Sequence, residues 1–355
     1  MHRKTLENLE KVKSYITHGR LMVHGRLYSE RRLMDFLGLG RGAVRSIINE
    51  LTRQGYLDAS RNVILPSIVG RQSKKLLFCT RCAIDFVRLA ATTPAYHAFI
   101  SESEALGYSI DTSFNDYCAI SEKDKARILA GEFAGIVFFA IFDPESVKFL
   151  DEHSIPYVVI AYEGSLDIPC SKIDFREVGR RAARVLYARG GRKTGAICGP
   201  LDTFIYREML AGFRGALAEE EIYLKPENII VMPPDYLQDN ITTNNALVHS
   251  YFQKYRPDSL FIMRDYRAKY VYAASLELGI RIPADLSLVS FDNHTWPGAE
   301  EIGLSSIDEP TEQLSREGIR LLDEWIVSGQ RPQNRIIIGE TILRKSIGNY
   351  SAGHS

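Results

Sequence analysis

Near the start of the sequence, three polar residues have the types and the spacing needed to read the edges of DNA bases. Arg41, Arg45 and Asn49 recur every four residues, which places them on one face of a helix. Arg can donate two hydrogen bonds to one guanine edge, and Asn can bind adenine in the same way. The apolar residues of this stretch, at i, i+3, i+4 and i+7, predict a separate buried stripe of Val44, Ile47, Ile48 and Leu51. We therefore expect a DNA-reading helix from about Arg41 to Gln54.

The neighbouring residues predict how this helix is held. Ser29 can cap a first helix over residues 30–37, and Gly38-Leu39-Gly40 predicts a tight turn between the two helices. Gly55 is expected to stop the second helix. Two short strands are then expected, at 56–58 and 62–65. Helix, turn, helix and small hairpin together predict a winged helix-turn-helix.

The stretch SERRLMDFLGLGRGAVRSIINELTRQGYL resembles, without a gap, the DNA-binding domain of the GntR family of bacterial regulators, whose motif reads roughly SERELAxxLGVSRxTVRxALxxLExxGLL. The resemblance implies that Arg31, Arg41 and Arg45 contact DNA. Gly40 replaces the family's usual Ser, which removes a hydroxyl contact to phosphate. The predicted DNA-binding residues are Arg31, Arg41, Arg45, Asn49 and, in the short wing, Arg61.

Composition and charge indicate a second, larger domain of a different kind. The chain has 355 residues, of which 45% are hydrophobic and 25% charged, as in a globular protein. Residues 1–66 contain twelve Lys and Arg against six Asp and Glu, whereas the remainder contains 32 against 38. A basic domain of this size beside an acidic larger one is typical of a nucleic-acid reader attached to another function.

The five cysteines and the polar N-terminus predict a cytoplasmic protein. The cysteines are scattered and odd in number, and the charged opening residues do not resemble a signal peptide. Cys79 and Cys82 are two residues apart, but no second pair completes a zinc site, so we interpret them as structural thiols. The histidines show no metal spacing, and no apolar run reaches the roughly 18 residues of a membrane span. No metal, cofactor or membrane is expected.

After residue 75, short apolar runs alternate with helical patterns. Unbroken apolar runs such as 135–140 (GIVFFA) and 156–161 (PYVVIA) predict parallel strands buried on both faces. The βα repetition occurs twice over, which predicts an α/β fold of two doubly wound parallel-sheet subdomains joined near 172–176. Ligands of such sheets bind outside the carboxyl ends of the strands, so a ligand cleft is expected between the subdomains.

Residues 75–349 resemble the effector domain of the LacI/GalR repressors, which is related to periplasmic sugar-binding proteins. The matching segments are Gly135-Ile136-Val137, 155–159 (IPYVV), Lys172-Ile173-Asp174, Gly199-Pro200 with Arg207 and Ala211-Gly212-Phe213 for GPxxxxxxxxRxxGF, and 278–292 (LGIRIPADLSLVSFD) for LGIRVPxDVSVVGFD. The expected domains are 1–66 (winged helix-turn-helix), 67–75 (linker) and 76–349 (effector domain). Within the last, 76–174 with 307–328 and 175–306 with 329–349 form the two subdomains.

The resemblance implies a set of polar side chains that grip a sugar or a similar ligand. Carried over to this sequence, they are Asp174, Arg207, the pair Arg264-Asp265, and Asp292. Carboxylates accept hydrogen bonds from hydroxyls, and Arg offers a rigid fork of donors. Because aromatic rings suit sugar faces, Trp296 and Phe204 are added to this set. Arg264 replaces the family's Asn, and it can either pair with Asp265 or Asp292 or receive an acidic ligand.

Together these patterns predict a transcription regulator, a repressor, that binds operator double-stranded DNA as a homodimer. A small polar effector, a sugar by family resemblance, is expected to control DNA binding. The alternative is a sugar-binding receptor or a sugar-processing enzyme on the same α/β core. The basic N-terminal domain argues against both, and the sequence contains no nucleophile elbow or paired catalytic residues, so we predict that the chain is not an enzyme.

Overall fold

The computed structural model describes most of the chain, with more gaps in the first third than elsewhere. The described residues are 8–9, 11–13, 15, 21–23, 26–53, 56–58, 60–61, 73–81, 94–233, 241–294 and 299–347. Backbone contacts divide the chain into two compact units. Unit 1 comprises Met1–Tyr162, Asp167–Ser171 and Glu312–Arg335, and unit 2 comprises Glu163–Leu166, Lys172–Thr311 and Ile336–Ser355. The finer division at residues 66 and 75 stays a prediction.

In the described part of the N-terminal region, residues 8–9, 11–13 and 15 are helical, and a short hairpin and two further helices follow. Strands β1 (Met22–Val23) and β2 (Arg26–Leu27) pair antiparallel and were not expected from the sequence. Helices α1 (Glu30–Leu37) and α2 (Arg41–Arg53) have the predicted positions. The four residues of the predicted stripe are buried on α2, as expected, because the helix turns them all towards one small core. That core consists of Leu9, Val12, Leu21, Leu27, Leu33, Val44, Ile47, Ile48, Leu51 and Leu57.

The turn between the helices has the expected local chemistry. The Ser29 hydroxyl accepts a hydrogen bond from the backbone N–H of Arg32 at 3.4 Å, which caps α1. Gly38 ends α1 with φ of 62°, a left-handed conformation that favours glycine. Of the predicted wing, Leu57 forms a single β-bridge, and residues 62–65 and Gly55 lie outside the described residues.

Unit 1 contains a four-stranded parallel sheet with the order β4-β3-β5-β6. The strands are β3 (Lys75–Thr80), β4 (Ser109–Phe114), β5 (Gly135–Phe139) and β6 (Tyr157–Ile160). The helices of this unit are α3 (Pro94–Ala105), α4 (Glu122–Leu129), α5 (Pro144–Glu152) and, from Glu312 onward, α11 (Thr311–Ser328). Strand β4 and helix α4 were not predicted. The edge strand β4 (SIDTSF) is largely polar, so it lacks the apolar run that reveals β3, β5 and β6.

Unit 2 contains a six-stranded sheet with the order β14-β12-β11-β10-β8-β9, parallel except for β14. Its strands are β8 (Thr194–Cys198), β9 (Ile229–Val231), β10 (Ser259–Ile262), β11 (Ser287–Asp292), β12 (Ser305–Asp308) and β14 (Thr341–Ile342). Its helices are α6 (Phe175–Ala188), α7 (Phe204–Glu219), α8 (Ile241–Tyr255), α9 (Ala268–Leu278) and α10 (Ala299–Ile302), and β7 (Ser171–Ile173) and β13 (Arg335–Ile337) are short strands at the unit borders. None of the helices in the described ranges is long and apolar enough to cross a membrane.

The strand order of unit 2 determines where its polar residues meet. From β8 the chain adds the edge strand β9 on one side, and it then returns to add β10 on the other side of β8. The topological switch point of this doubly wound sheet therefore lies between the neighbouring strands β8 and β10. Residues that follow β10, β11 and β12 therefore share one edge, at the carboxyl ends of adjacent parallel strands. The fold thus brings together side chains that are more than forty positions apart in the sequence.

Helices α6 and α7 pack against each other through glycines. A Cβ on Gly179 would lie 1.9 Å from the Met209 carbonyl oxygen, and one on Gly212 would lie 1.8 Å from the Arg176 carbonyl oxygen. Both distances are shorter than any Cβ contact allows, so the two backbones touch here. The predicted Ala-Gly-Phe segment at 211–213 is therefore a packing motif of unit 2.

The described cysteines are buried thiols that form no disulfide with one another: Cys79, Cys118, Cys170 and Cys198. Burial raises the pKa of the Cys79 thiol above its ordinary value and that of Cys198 to about 11. Neutral thiols without solvent access are poor nucleophiles and poor metal ligands. Cys82, the other half of the predicted pair, lies outside the described residues.

Candidate functional site

All five predicted DNA-binding side chains are exposed to solvent. Arg31 lies on α1, Arg41, Arg45 and Asn49 lie on α2, and Arg61 follows the Leu57 bridge. On α2 they lie on the side that its buried stripe leaves open. The helix thus presents to solvent the donors that its periodicity predicted.

Glu30, which sequence analysis did not select, connects three of these arginines. Its carboxylate accepts hydrogen bonds from Arg41 Nε at 3.4 Å, Arg45 Nε at 3.1 Å and Arg61 Nη2 at 2.9 Å. The hydrogen bond from Arg61, with those from Arg45 and Arg41, lowers the pKa of Glu30 below its ordinary value. No periodicity rule relates positions 30, 45 and 61, so only the folded helices and the following loop reveal this arrangement.

In unit 2, Arg264 is the centre of a buried charge cluster. Its guanidinium lies 2.9 Å from Asp292 Oδ1, 2.6 Å from Glu163 Oε1 and 3.5 Å from Glu309 Oε2. Burial opposes its positive charge, but Asp292, Glu163 and Glu309 raise the pKa of Arg264 well above its ordinary value. Of the two roles left open for Arg264, the structure has it paired with Asp292, together with two glutamates that sequence analysis missed.

Two of the three carboxylates of this cluster are desolvated. The side chains of Asp292 and Glu309 are only 5% and 10% exposed. Burial raises the pKa of Asp292 to about 7, against the lowering effect of Arg264, and raises the pKa of Glu309 to about 7 in the same way. Three carboxylates facing one guanidinium have a formal charge of −2, and the raised pKa values of Asp292 and Glu309 reduce that negative charge.

The backbone at this edge has an uncommon conformation. Arg264 has φ of 90° and Asp292 has φ of 121°, values that non-glycine residues rarely adopt. Such strain persists where the surrounding structure enforces it, and it is concentrated at functional sites. Arg264 lies two residues after β10 and Asp292 ends β11, at the strand ends where ligands of doubly wound sheets bind.

The Asp265 carboxylate is buried and hydrogen-bonded within unit 2. Its side chain is 3% exposed and accepts hydrogen bonds from the hydroxyls of Ser290 at 2.5 Å and Ser306 at 2.8 Å. Burial raises its pKa, although both hydroxyls counteract that effect. Both hydroxyls bind Asp265 Oδ1, so Asp265 ties β11 and β12 to the loop after β10.

The remaining predicted ligand residues are not part of the described contacts of Arg264. Asp174 caps α6, since its Oδ1 accepts from the Glu177 backbone N–H at 2.9 Å. Arg207 is exposed and its guanidinium lies 5.7 Å from the Phe204 ring centroid. Trp296 lies outside the described residues.

The position of Arg207 corrects one detail of the motif alignment. In GPxxxxxxxxRxxGF the arginine precedes the glycine by three residues, and the residue three before Gly212 is Met209. Met209 is fully buried against α6, whereas Arg207, two residues earlier, points about 200° away around α7. The family's arginine therefore has no counterpart at that position.

Asp292, His294 and Glu309 form a set that could hold a metal ion, since their ligand atoms lie within 4.8 Å of one another. The sequence did not predict this proximity, because His294 and Glu309 come from different strand ends. However, Arg264 already binds both carboxylates, and its positive charge opposes a cation at the same place.

Comparisons with known proteins agree with this architecture. Residues 183–347 match the family model of a periplasmic binding protein-like domain. Catabolite control protein A of Staphylococcus epidermidis is 24% identical over 257 residues, which are 71% of this chain and 72% of that protein. The HTH-type transcriptional repressor PurR of Klebsiella pneumoniae is 30% identical over 211 residues, 58% of this chain and 61% of that protein. The structure of a transcriptional regulator CelR–cellobiose complex covers 90% of this chain and 99% of its own, with 20% identity and a TM-score of 0.59.

These similarities define the large part of the chain as an α/β periplasmic-binding-protein-like domain with two parallel sheets, as predicted. By sequence the chain is similar to Catabolite control protein A and to the PurR repressor, and these relatives are transcription regulators rather than enzymes. The chain spans only about three fifths of the PurR repressor. The predicted GntR-type origin of the N-terminal region finds no support in these comparisons.

Proposed function

We propose that this protein is a ligand-controlled, sequence-specific DNA-binding repressor with a GntR-type winged helix-turn-helix and a LacI-type effector domain. The observation that carries the proposal is the exposed row of Arg41, Arg45 and Asn49 on a helix whose other face is buried. The same chain contains the effector-type fold. The gapless match of residues 29–57 to the GntR motif supports the finer assignment of the N-terminal domain.

The DNA proposal is tested by removing two of these arginines. Wild-type protein is used to select binding sequences from a random duplex library, and dissociation constants are then measured by fluorescence anisotropy. A good bidentate base contact contributes about 1–3 kcal/mol of discrimination, so Arg41→Ala and Arg45→Ala should each weaken specific binding by roughly 5- to 150-fold. Arg53→Ala is the matched control, because Arg53 lies on the same helix and pairs with Glu50. Equal effects of all three substitutions would contradict the assigned reading face.

The ligand proposed for the unit 2 edge is a neutral polyhydroxyl compound, with a sugar as the first candidate. The CelR structure was determined with cellobiose, and the carboxylates of Asp292, Glu163 and Glu309 can accept hydrogen bonds from hydroxyls. An acidic ligand is disfavoured because three carboxylates face the single guanidinium of Arg264. At an effective dielectric constant of about 20, two like charges 4 Å apart repel by about 4 kcal/mol, or roughly 700-fold in affinity.

A calorimetric titration of neutral sugars and their matched acids tests this charge argument. Cellobiose, glucose and a wider set of aldoses would be compared with glucuronate and galacturonate. We expect binding only among the neutral compounds, and Asp292→Asn should weaken that binding. A uronate that binds more tightly than its parent aldose would refute the proposed ligand class. Ligand-dependent DNA affinity, measured on the selected duplex, would then show whether the ligand releases or recruits the repressor.

Homodimerisation is part of the proposal, because palindromic half-sites require two reading helices. Half-sites on one face of B-DNA are about 34–36 Å apart for one helical turn. Analytical ultracentrifugation of the full chain with and without the selected duplex measures the stoichiometry. Two chains per duplex are expected, and a single chain bound to an asymmetric site would contradict the dimer.

A further inference from the structure

We propose that Glu30 is a positioning residue that sets the DNA specificity of the N-terminal domain. This inference rests on the proposed function of that domain as a DNA reader. Glu30 is the first residue of α1, and its side chain is 17% exposed, whereas those of Arg41, Arg45 and Arg61 are 69%, 57% and 45% exposed. The carboxylate thus lies beneath three guanidinium groups that extend into solvent.

The atoms used in these contacts determine what the arginines can still do. Arg41 and Arg45 each donate their inner Nε to Glu30. Neither uses Nη1 or Nη2 on Glu30, and these two groups form the outer fork that matches the O6 and N7 acceptors of guanine. Glu30 therefore restricts the rotation of both side chains without occupying the donors that would read a base.

Arg61 is held from both its backbone and its side chain. Its backbone N–H donates to the Asp58 carbonyl at 3.0 Å, its carbonyl accepts from the Leu27 N–H at 3.2 Å, and its φ is 63°. The Glu30 contact at 2.9 Å then connects this loop to α1 and α2. One carboxylate thereby fixes the arginines of the recognition helix relative to the arginine that follows the Leu57 bridge.

Glu30 also reduces the positive charge of the reading face. Three arginines and one glutamate have a formal charge of +2 instead of +3. Non-specific binding to DNA depends on the number of phosphates that a protein neutralises, and it weakens steeply with salt. Glu30 is thus expected to lower the affinity for any sequence while it preserves the geometry needed for one sequence.

The test compares the ratio of specific to non-specific affinity, at several salt concentrations, for wild type, Glu30→Gln and Glu50→Gln. Duplexes selected by wild type and scrambled duplexes of equal length serve as ligands for the full chain. We expect Glu30→Gln to bind scrambled DNA more tightly and to lower the ratio by roughly tenfold or more, the scale of one lost bidentate contact. Glu50→Gln removes the same charge from the same domain, beside Arg53 but away from the three arginines, and should leave the ratio unchanged.

A second variant separates geometry from charge. Glu30→Asp keeps the negative charge but is too short to reach all three guanidinium groups, so the ratio should fall without tighter binding to scrambled DNA. If Glu30→Gln does not fold, the Glu30→Asp variant alone still tests the proposal. Sequence-specific binding by wild type with unchanged ratios in both Glu30 variants would overturn the role of Glu30 alone. Failure of wild type to select any sequence would overturn the proposed function together with this inference.

Discussion

Replacing Arg264 with Gln tests whether the charge cluster of unit 2 is desolvated. The substitution removes the cation that faces Asp292, Glu163 and Glu309 but keeps a polar side chain, which is shorter than that of arginine. Arg and Gln also share the strain at φ of 90°, so the backbone contribution is nearly unchanged. Breaking a buried ion pair typically costs about 3–5 kcal/mol, because the partner charges stay buried without compensation. We expect a loss of this size at about pH 8, where the carboxylates are ionised.

Thermal and urea unfolding of the full chain measure this loss. For a unit of 150–250 residues, each kcal/mol shifts the midpoint by about 2–4 °C, so Arg264→Gln should lower the unfolding temperature of the affected transition by roughly 6–20 °C. The matched control is Arg281→Gln, which breaks the 2.7 Å pair with Asp285. The Arg281 side chain is 74% exposed, and an exposed pair contributes less than about 1 kcal/mol.

Two further outcomes refine the interpretation. Arg264→Lys keeps the charge but lacks the planar fork, and it should lie between wild type and Arg264→Gln. If Arg264→Gln is no more destabilising than Arg281→Gln, the cluster is effectively hydrated. The charge argument against acidic ligands would then also fail, because it depends on the same low polarity around Arg264.

Two other predictions concern pH and packing. Because the folded-state pKa of Asp292 is about 7, above its ordinary value of 3.8, the folded chain binds more protons than the unfolded chain between these pH values. The free energy of unfolding of wild type should therefore fall, relative to Asp292→Asn, as the pH rises from about 5.5 to about 8, and parallel urea-denaturation curves would contradict the raised pKa. Gly212→Ala should destabilise unit 2 by about 1–3 kcal/mol or more, since its Cβ would overlap the Arg176 carbonyl. Gly215→Ala on the same helix has open space and should be neutral or stabilising by up to about 1 kcal/mol in the same thermal scan.

Much of the fold could be predicted from the sequence because its determinants are local. The stripe Val44, Ile47, Ile48 and Leu51 repeats with the helical period, so it predicts α2 and the face that α2 buries. The unbroken apolar runs of β5 and β6 reveal strands covered on both sides. Strand β4 was not predicted, because an edge strand is half exposed and its polar residues interrupt the apolar run.

At the candidate ligand edge, too, some residues could be selected from the sequence and others could not. Asp292 and Arg264 are found from the sequence, since each follows a recognisable apolar strand. Glu163 and Glu309 are not, because nothing near them distinguishes them from other surface glutamates. Arg207 stays a prediction, but it lies two residues before the motif position, and a shift of two residues turns a side chain to the opposite face of a helix.

The sequence by itself therefore determined the class of elements, their order and the exposed face of the recognition helix, because these depend on periodicity over a few turns of chain. Only the tertiary structure decided which charges meet. Glu30 joins Arg41, Arg45 and Arg61, and Arg264 joins three carboxylates, across separations that no local pattern encodes. Strand order and helix packing bring those atoms within hydrogen-bonding distance, and burial then sets their charge.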